Sequence, residues 1–255
     1  MPALEFKNVS CRFPVPGGIY TATENVSFSI GDGEFVSVVG PTGCGKSTIL
    51  NAAAGLLKPA DGEVLVYGKP LQGLNRRAGY MFQAESLMPV SYTHLTLPKH
   101  ARELGMSWLA RVGLEKFPDR YPHELSGGMR KRVAMAQTLI ADPDILLMDE
   151  SFSALDIQTR QLMEDELLAI WQEKKKAVLF ITHDLDEAIA MSDRVVVFSA
   201  GPASHPIGDF PITLERPRNV AEIRMTPAFN ESHAAIWNVL RDEVLKSYQQ
   251  HRAAI

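Results

Sequence analysis

The sequence predicts an α/β fold: a mostly parallel sheet flanked by helices, with an antiparallel β subdomain at the N-terminal side. Three observations carry this. From Glu34 to Ser199 apolar strand-like runs alternate with segments of helical spacing, the pattern of a parallel sheet buried between helical layers. The residues before Gly31 instead alternate apolar and polar side chains, as half-buried strands do. The chain has 255 residues, 45% hydrophobic and 22% charged, enough for one large core or a core plus a small lobe.

In chain order, "LEFKNVSCRF" and "ENVSFSI" read as strands joined by the loop "PVPGG". "EFVSVVG", Glu34 to Gly40, is a buried-strand run, and after a glycine-rich turn "KSTILNAAAGLL" has helical spacing through Leu57. "EVLVYG" and "AGYMFQ" are further strands, the second ending at Gln83. From Ser126 a helix runs through "GGMRKRVAMAQTLIA", and "DILLMDE" is an apolar strand ending in acids. "IQTRQLMEDELLAIWQEKKK" is an amphipathic helix, and "AVLFITH" and "DRVVVFS" are strands flanking the helix "DLDEAIAMS". Asp184 and Glu187 have the spacing of a capping box for that helix. Glu173 to Lys176 reads as a solvated helix end. "PAFNESHAAIWNVLRDEVLKS" is a single C-terminal amphipathic helix.

Bulk properties narrow the function. The net charge of −4 gives no nucleic-acid footprint. Two cysteines, Cys11 and Cys44, do not make a disulfide framework and fit a reducing compartment. With seven histidines they show no zinc spacing. The opening "MPALEFKNVS" has neither a basic n-region nor an apolar h-region of a signal peptide. No apolar run reaches the ~18 residues of a membrane span, so any spans would come from another chain.

The chemistry concentrates in "GPTGCGKS", Gly40 to Ser47, between a strand and a helix. This is the phosphate-loop pattern in its required context. Gly40, Gly43 and Gly45 allow a tight backbone curl against an anion. Their N–H groups and the helix N-terminus point at phosphate oxygens. Lys46 supplies a charge near the β- and γ-phosphates, and the Ser47 hydroxyl suits Mg²⁺. The candidate nucleotide contacts are thus Gly40, Pro41, Thr42, Gly43, Cys44, Gly45, Lys46, Ser47 and Thr48, with Cys44 a small filler. Asp149 at the end of "DILLMDE" can hold Mg²⁺ through water, and Glu150 beside it suits polarising an attacking water. Without the phosphate loop the acid pair would read as a polar strand end.

Between these motifs lies "LSGGM", Leu125 to Met129. Ser126 is a good N-cap, and Gly127 and Gly128 expose backbone N–H groups at a helix start, a second anion-binding end. In this order the motifs resemble the ABC transporter ATPases, whose signature motif this is. Gln83 matches the family's Q-loop, Ser153 to Asp156 ("SALD") its D-loop, and His183 in "ITHD" its switch histidine. Phe13 matches the adenine-stacking aromatic, with Tyr20 the weaker candidate. "GYMFQAESLMP", "THDLDEAIAMSDRVVVFSAGPA" and "DFPITLERPRN" resemble the nitrate, sulfonate and taurine importer group.

The resemblance implies a P-loop NTPase (RecA-like) core over residues 4–225, a small helical subdomain at about 84–140, and a helical tail at 226–255. It implies an ATPase using ATP and Mg²⁺, with Ser47, Gln83 and Asp149 at the metal, Glu150 as general base and His183 holding the γ-phosphate region. Two copies would form a head-to-tail homodimer, with ATP between the phosphate loop of one and Ser126–Gly128 of the other, and Asp156 acting across the interface. Closure on ATP and release on hydrolysis would drive two integral-membrane permease subunits, fed by a periplasmic solute-binding protein, from the cytoplasmic face of the cell membrane.

One segment, at about 90–100, departs from the family's helical lobe. "VSYTHLTLP", Val90 to Pro98, is flanked by two prolines, Pro89 and Pro98, around a β-branched, threonine-rich middle, which disfavours a helix. It back-translates as GTC TCT TAT ACA CAT CTG ACG CTG CCG, a run similar to the transposon-end adapter of sequencing libraries. Two readings stay open: an artefact replacing native sequence, which the codon match favours, and natural divergence of a surface loop. Under the first, the chain binds MgATP but docks poorly on a permease.

Overall fold

A computed structural model describes residues 1–83, 87, 99–153 and 155–253. Residues 90–98 of the anomalous segment and Ala154 of the "SALD" run lie outside the described residues.

Strands β1 (Leu4–Val15) and β2 (Gly18–Ile30) form a long antiparallel hairpin. The loop expected over "PVPGG" shrinks to Pro16 and Gly17, because the pairing continues to Val15↔Gly18 with Gly17 at φ 92°. β4 (Asp61–Val66) and the short β5 (Lys69–Pro70) complete a four-stranded antiparallel sheet in the order β2-β1-β4-β5.

The main sheet has six strands in the order β10-β9-β3-β8-β7-β6. These are β3 (Phe35–Val39), β6 (Ala78–Met81), β7 (Ile145–Asp149), β8 (Ala177–Ile181), β9 (Arg194–Phe198) and β10 (Pro206–Pro211). All neighbours are parallel except β10 on β9. β3 and β8 are buried along their whole length, as strands covered on both faces must be. The period of two sends alternate side chains into two cores. Phe35, Val39, Leu146, Met148, Phe180, Val195 and Val197 face the helical side. Val36, Val38, Ile145, Leu147, Leu179, Ile181 and Val196 face the antiparallel sheet.

The helices are α1 (Lys46–Ala54), α2 (Lys99–Arg111), α3 (Gly127–Leu139), α4 (Ile157–Lys174), α5 (Leu185–Met191), α6 (Val220–Ile223) and α7 (Pro227–Ala253). Helix α1 packs under the antiparallel sheet through Ile49, Leu50 and Ala53. Helices α3, α4 and α5 pack on the other face through Met135, Leu167 and Ile189. No described helix is long and apolar enough to cross a membrane.

Several local expectations are corrected. α1 stops at Ala54 rather than Leu57, because Gly55 turns left-handed at φ 71° and its N–H returns to the Ala52 carbonyl, a glycine helix stop. β6 ends at Met81, leaving Gln83 beyond the strand. β10 and α6 were hidden in a tail that lacks strong periodicity. The capping box at α5 is only half formed. Asp184 Oδ1 accepts from the N–H groups of Asp186 and Glu187, at 2.9 and 3.2 Å. Glu187 does not return to the Asp184 N–H; Thr182 Oγ1 accepts that bond at 3.0 Å and donates to Glu187 Oε2 at 2.6 Å. Lys176, read as solvated, is largely covered and donates to Asp142 Oδ1 at 2.7 Å.

A buried carboxylate gives the fold a pH signature. Glu164 on α4 is fully buried, with Oε2 3.3 Å from an Arg224 nitrogen. Burial, followed by the nearby Glu187 charge, pushes its carboxyl up to about 8. The folded value lies above the unfolded one, so the folded chain binds the extra proton. Its contribution is fully present below the unfolded value of 4.5 and is lost as pH rises towards about 8. Glu164→Gln is therefore expected to flatten the decline in melting temperature across that window. A slope equal to the wild type in melts at stepped pH would refute this.

Candidate nucleotide site

The site grows from the C-terminal ends of β3 and β7, where an open parallel sheet places its binding crevices. Beyond β3 the chain curls through Gly40–Gly45 into α1, with Gly43 and Gly45 left-handed at φ 77° and 93°. A Cβ on Gly45 would stand 2.7 Å from Thr23 Cγ2, so only glycine fits both the dihedral and the space. Lys46 is buried, its Nζ donating to the carbonyls of Gly40 (2.8 Å) and Pro41 (3.0 Å). The charge is held at the loop by acceptors that a competing anion can replace. Cys44 is buried and burial pushes its thiol up, which matches a neutral filler. The Ser204 hydroxyl donates to the Cys44 carbonyl, a support that no motif marks.

At the end of β7, Asp149 Oδ1 accepts from Ser47 Oγ at 2.9 Å. Burial raises the Asp149 carboxyl, and the Ser47 bond opposes that. Glu150 follows in a left-handed conformation at φ 43°, uncommon for a residue with a side chain. Its N–H donates to Ile181 O at 2.9 Å, and its carbonyl accepts from Ser153 N and Ser153 Oγ at 3.2 and 2.9 Å. These bonds turn the side chain away from the strand direction. Glu150 Oε2 then accepts from Gln83 Nε2 at 3.1 Å and lies 3.3 Å from Nδ1 of the exposed His183. Three residues from separate segments thus meet on one carboxylate oxygen. Lys131 on α3 is buried and donates to the Gln83 carbonyl at 2.5 Å. Nothing in its local sequence marks that tie.

A cavity of about 390 Å³ is lined by Phe13, Tyr20, Ala22, Thr42, Gly43, Gly45, Lys46, Ser47, Thr48, Gln83 and Glu150. Phe13 and Tyr20 are direct cross-strand partners, so both aromatic candidates reach the same cavity. A second cavity of about 760 Å³ opens beside it, bounded by Gly40, Pro41 and Thr42, by His183 to Asp186, and by α7.

The signature residues stand apart from both cavities. Ser126 caps α3, accepting from Met129 N at 3.3 Å. Gly128 lies where a Cβ would be 3.1 Å from Thr159 Cγ2, so α3 starts in close contact with α4. Asp156 caps α4, accepting from Thr159 N at 3.0 Å, which holds its carboxyl low. Arg160 links this corner to the residue after His183: it donates to Leu155 O at 3.1 Å and to Asp184 Oδ2 at 3.3 Å.

Comparison with known proteins identifies the family. The ABC transporter family matches residues 23–153. An uncharacterised ABC transporter ATP-binding protein of Methanocaldococcus jannaschii is 44% identical over 255 residues, covering 96% of this chain and 93% of the relative. An aliphatic sulfonates import ATP-binding protein of Bacillus cereus is 37% identical over 224 residues, covering 85% and 89%. Among solved structures, an ATP-binding cassette seen as a dimer in a post-hydrolysis state with ADP and Pi has a TM-score of 0.73 at 29% identity, covering 83% of this chain and all of that one. On these matches the chain belongs to the ABC transporter ATP-binding family as an ATPase.

Proposed function

We propose that two copies of this chain bind two MgATP molecules head-to-tail and drive the permease pair of an importer for sulfonate, taurine, nitrate or a related small solute. The observation that carries the reading is the division of the site. The phosphate loop, Ser47–Asp149 and the Gln83–Glu150–His183 contact share one face, whereas Ser126–Gly128 and Asp156 line neither cavity there. A second copy supplies what the first lacks. The dimeric relative with ADP and Pi supports the arrangement, and the sulfonate-import relatives support the solute class.

The donor set fits Mg²⁺: a hydroxyl, a carboxylate and an amide oxygen are hard ligands. Ser47, Asp149 and Gln83 would hold the ion, which when bound neutralises charge on the β- and γ-phosphate oxygens. Lys46 leaves the Gly40 and Pro41 carbonyls for phosphate oxygens. The Gly40–Thr48 backbone orients the triphosphate, and Phe13 stacks on adenine with Tyr20 at its edge. Glu150 takes a proton from the water that attacks the γ-phosphorus; the bond to the bridging oxygen breaks, giving ADP and phosphate. His183 and Gln83 fix the Glu150 carboxylate, and His183 orients the γ-phosphate. Ser126–Gly128 of the second copy present helix N-terminal N–H groups to the same phosphate. ATP bridging two such termini favours the closed pair, and hydrolysis weakens it.

Permease coupling runs through the lobe that contains residues 90–100. If the 90–100 segment replaces native sequence, the chain is expected to bind MgATP yet dock poorly on cognate permease subunits, with weakened transport-coupled acceleration. The experiment is reconstitution in proteoliposomes, following ATP hydrolysis and solute uptake together. Uptake tied to hydrolysis would support the importer reading and remove the coupling defect; hydrolysis with solute accumulating on the binding-protein side would reverse the direction of transport.

A further inference from the structure

We propose that Lys131 is a positioning residue for the Glu150 carboxylate, acting through the backbone of Gln83. The inference rests on the reading of Glu150 as general base and adds a residue from a different element to that machinery.

Strands β6 and β7 pair in parallel register through Met81↔Met148. Counting two residues on in each strand brings Gln83 opposite Glu150, and Gln83 Nε2 donates to Glu150 Oε2 at 3.1 Å. β6 ends at Met81, so Gln83 lies past the strand ladder and its peptide is held by something else. Lys131 Nζ donates to the Gln83 carbonyl at 2.5 Å. Helix α3 brings the ammonium there: Lys131 is 2% exposed and shares a helix face with the fully buried Met135 one turn on.

A lysine at such a position is uncommon. Removing its ammonium from water is costly unless it is hydrogen-bonded, and a methionine would fill the same space without that cost. What the ammonium adds is a directed, charge-assisted bond to one carbonyl. Fixing that carbonyl fixes the plane of the peptide after Gln83, and with it the direction in which the Gln83 side chain leaves the backbone. The side chain ends in one planar amide that carries both donor and acceptor. Its Nε2 is spent on Glu150, and its Oε1 is the atom assigned above to Mg²⁺. A shift of the Gln83 backbone therefore disturbs the base and a metal ligand together. Among the described residues that line the nucleotide cavity Lys131 is not one, so it acts through Gln83 and not on the reacting atoms. Glu150 keeps His183, 3.3 Å from the same oxygen, so losing Lys131 weakens hydrolysis without abolishing it.

The test uses the full chain with Lys131→Met, which keeps the side-chain length and removes the donor. In protein free of metal and nucleotide, the Gln83 side-chain amide is followed by NMR and assigned by its loss in Gln83→Ala. It is expected to move toward the position of a solvated glutamine amide in Lys131→Met. In steady-state assays kcat is expected to fall about tenfold and the magnesium concentration for half-maximal hydrolysis to rise about tenfold, the scale of losing an outer partner of a metal ligand. Binding of ATP without magnesium is expected to stay within about twofold. Adding Gln83→Ala to Lys131→Met is expected to cost no more than Gln83→Ala alone, since both act through one amide. If Lys131→Met does not melt cooperatively, Lys131→Leu, also without a donor, carries the same readings. An unchanged kcat overturns the proposal whether or not the amide moves. A fall in kcat with the Gln83 amide unmoved, or a loss additive with Gln83→Ala, also overturns it and leaves Lys131 a brace for α3. Wild-type turnover by Glu150→Gln overturns the general-base reading and this proposal with it, whereas an inactive Glu150→Gln beside an unaffected Lys131→Met overturns this proposal alone.

Discussion

Glu150→Gln is expected to slow ATP hydrolysis by about 10²–10⁴-fold while leaving ATP affinity intact, the loss typical of removing a positioned general base. The argument is geometric. Glu150 is held at φ 43° by backbone bonds to Ile181 and Ser153, and its Oε2 is met by Gln83 Nε2 and His183 Nδ1. A glutamine keeps the volume and can still accept from both through its carbonyl oxygen, so the fold and the nucleotide cavity should persist. It cannot take a proton. Single-turnover phosphate release measured beside nucleotide affinity checks this. Wild-type turnover would remove Glu150 from the chemistry and leave it a strained strand end.

Lys46→Ala is expected to lower kcat/KM by about 10²–10³-fold, the scale of losing one donor aimed at developing phosphate charge. It differs from the Glu150 substitution in also weakening ATP binding. Lys46 is buried and donates to the Gly40 and Pro41 carbonyls. Those acceptors orient the ammonium without neutralising it, so the charge is ready for a triphosphate. The alanine leaves two loop carbonyls without that donor, at a cost of about 1–3 kcal/mol if they stay dry. A modest fall in melting temperature should accompany the loss. Equilibrium nucleotide titration separates the outcomes: unchanged ATP affinity with unchanged turnover would overturn the assignment of the charge.

The glycine-rich turn of the proposed nucleotide site was legible because its geometry is local. Gly40–Ser47 must turn, present N–H groups and start a helix within a few residues, so the constraint is written in consecutive letters. Asp149 and Glu150 were legible for a related reason, an apolar strand ending in acids. β3, β7 and β8 read as continuous apolar runs, so their burial was legible, but the division of their side chains between two cores, one of them against the antiparallel sheet, came from the structure. Other features were not readable from their own segments. β10 is short and carries two prolines, and it forms because β9 offers an open edge. Glu187 matched a cap pattern but is taken by Thr182, whose hydroxyl is closer in the folded turn. Lys131 and Ser204 brace Gln83 and Cys44 from 48 and 160 residues away, and no spacing rule connects such pairs.

By itself the sequence determined the class of the fold, the family, and where the glycine-rich loop turns into a helix, because those depend on short-range backbone geometry and on the period of burial. Tertiary structure alone decided that Gln83, Glu150 and His183 share one oxygen, that Phe13 and Tyr20 face one cavity, and that α7 walls the mouth of the phosphate loop. The physical reason is that these are contacts between surfaces far apart in the chain. Their free energy comes from how the sheet, α5 and α7 pack in three dimensions, and packing partners leave no fixed interval in the sequence.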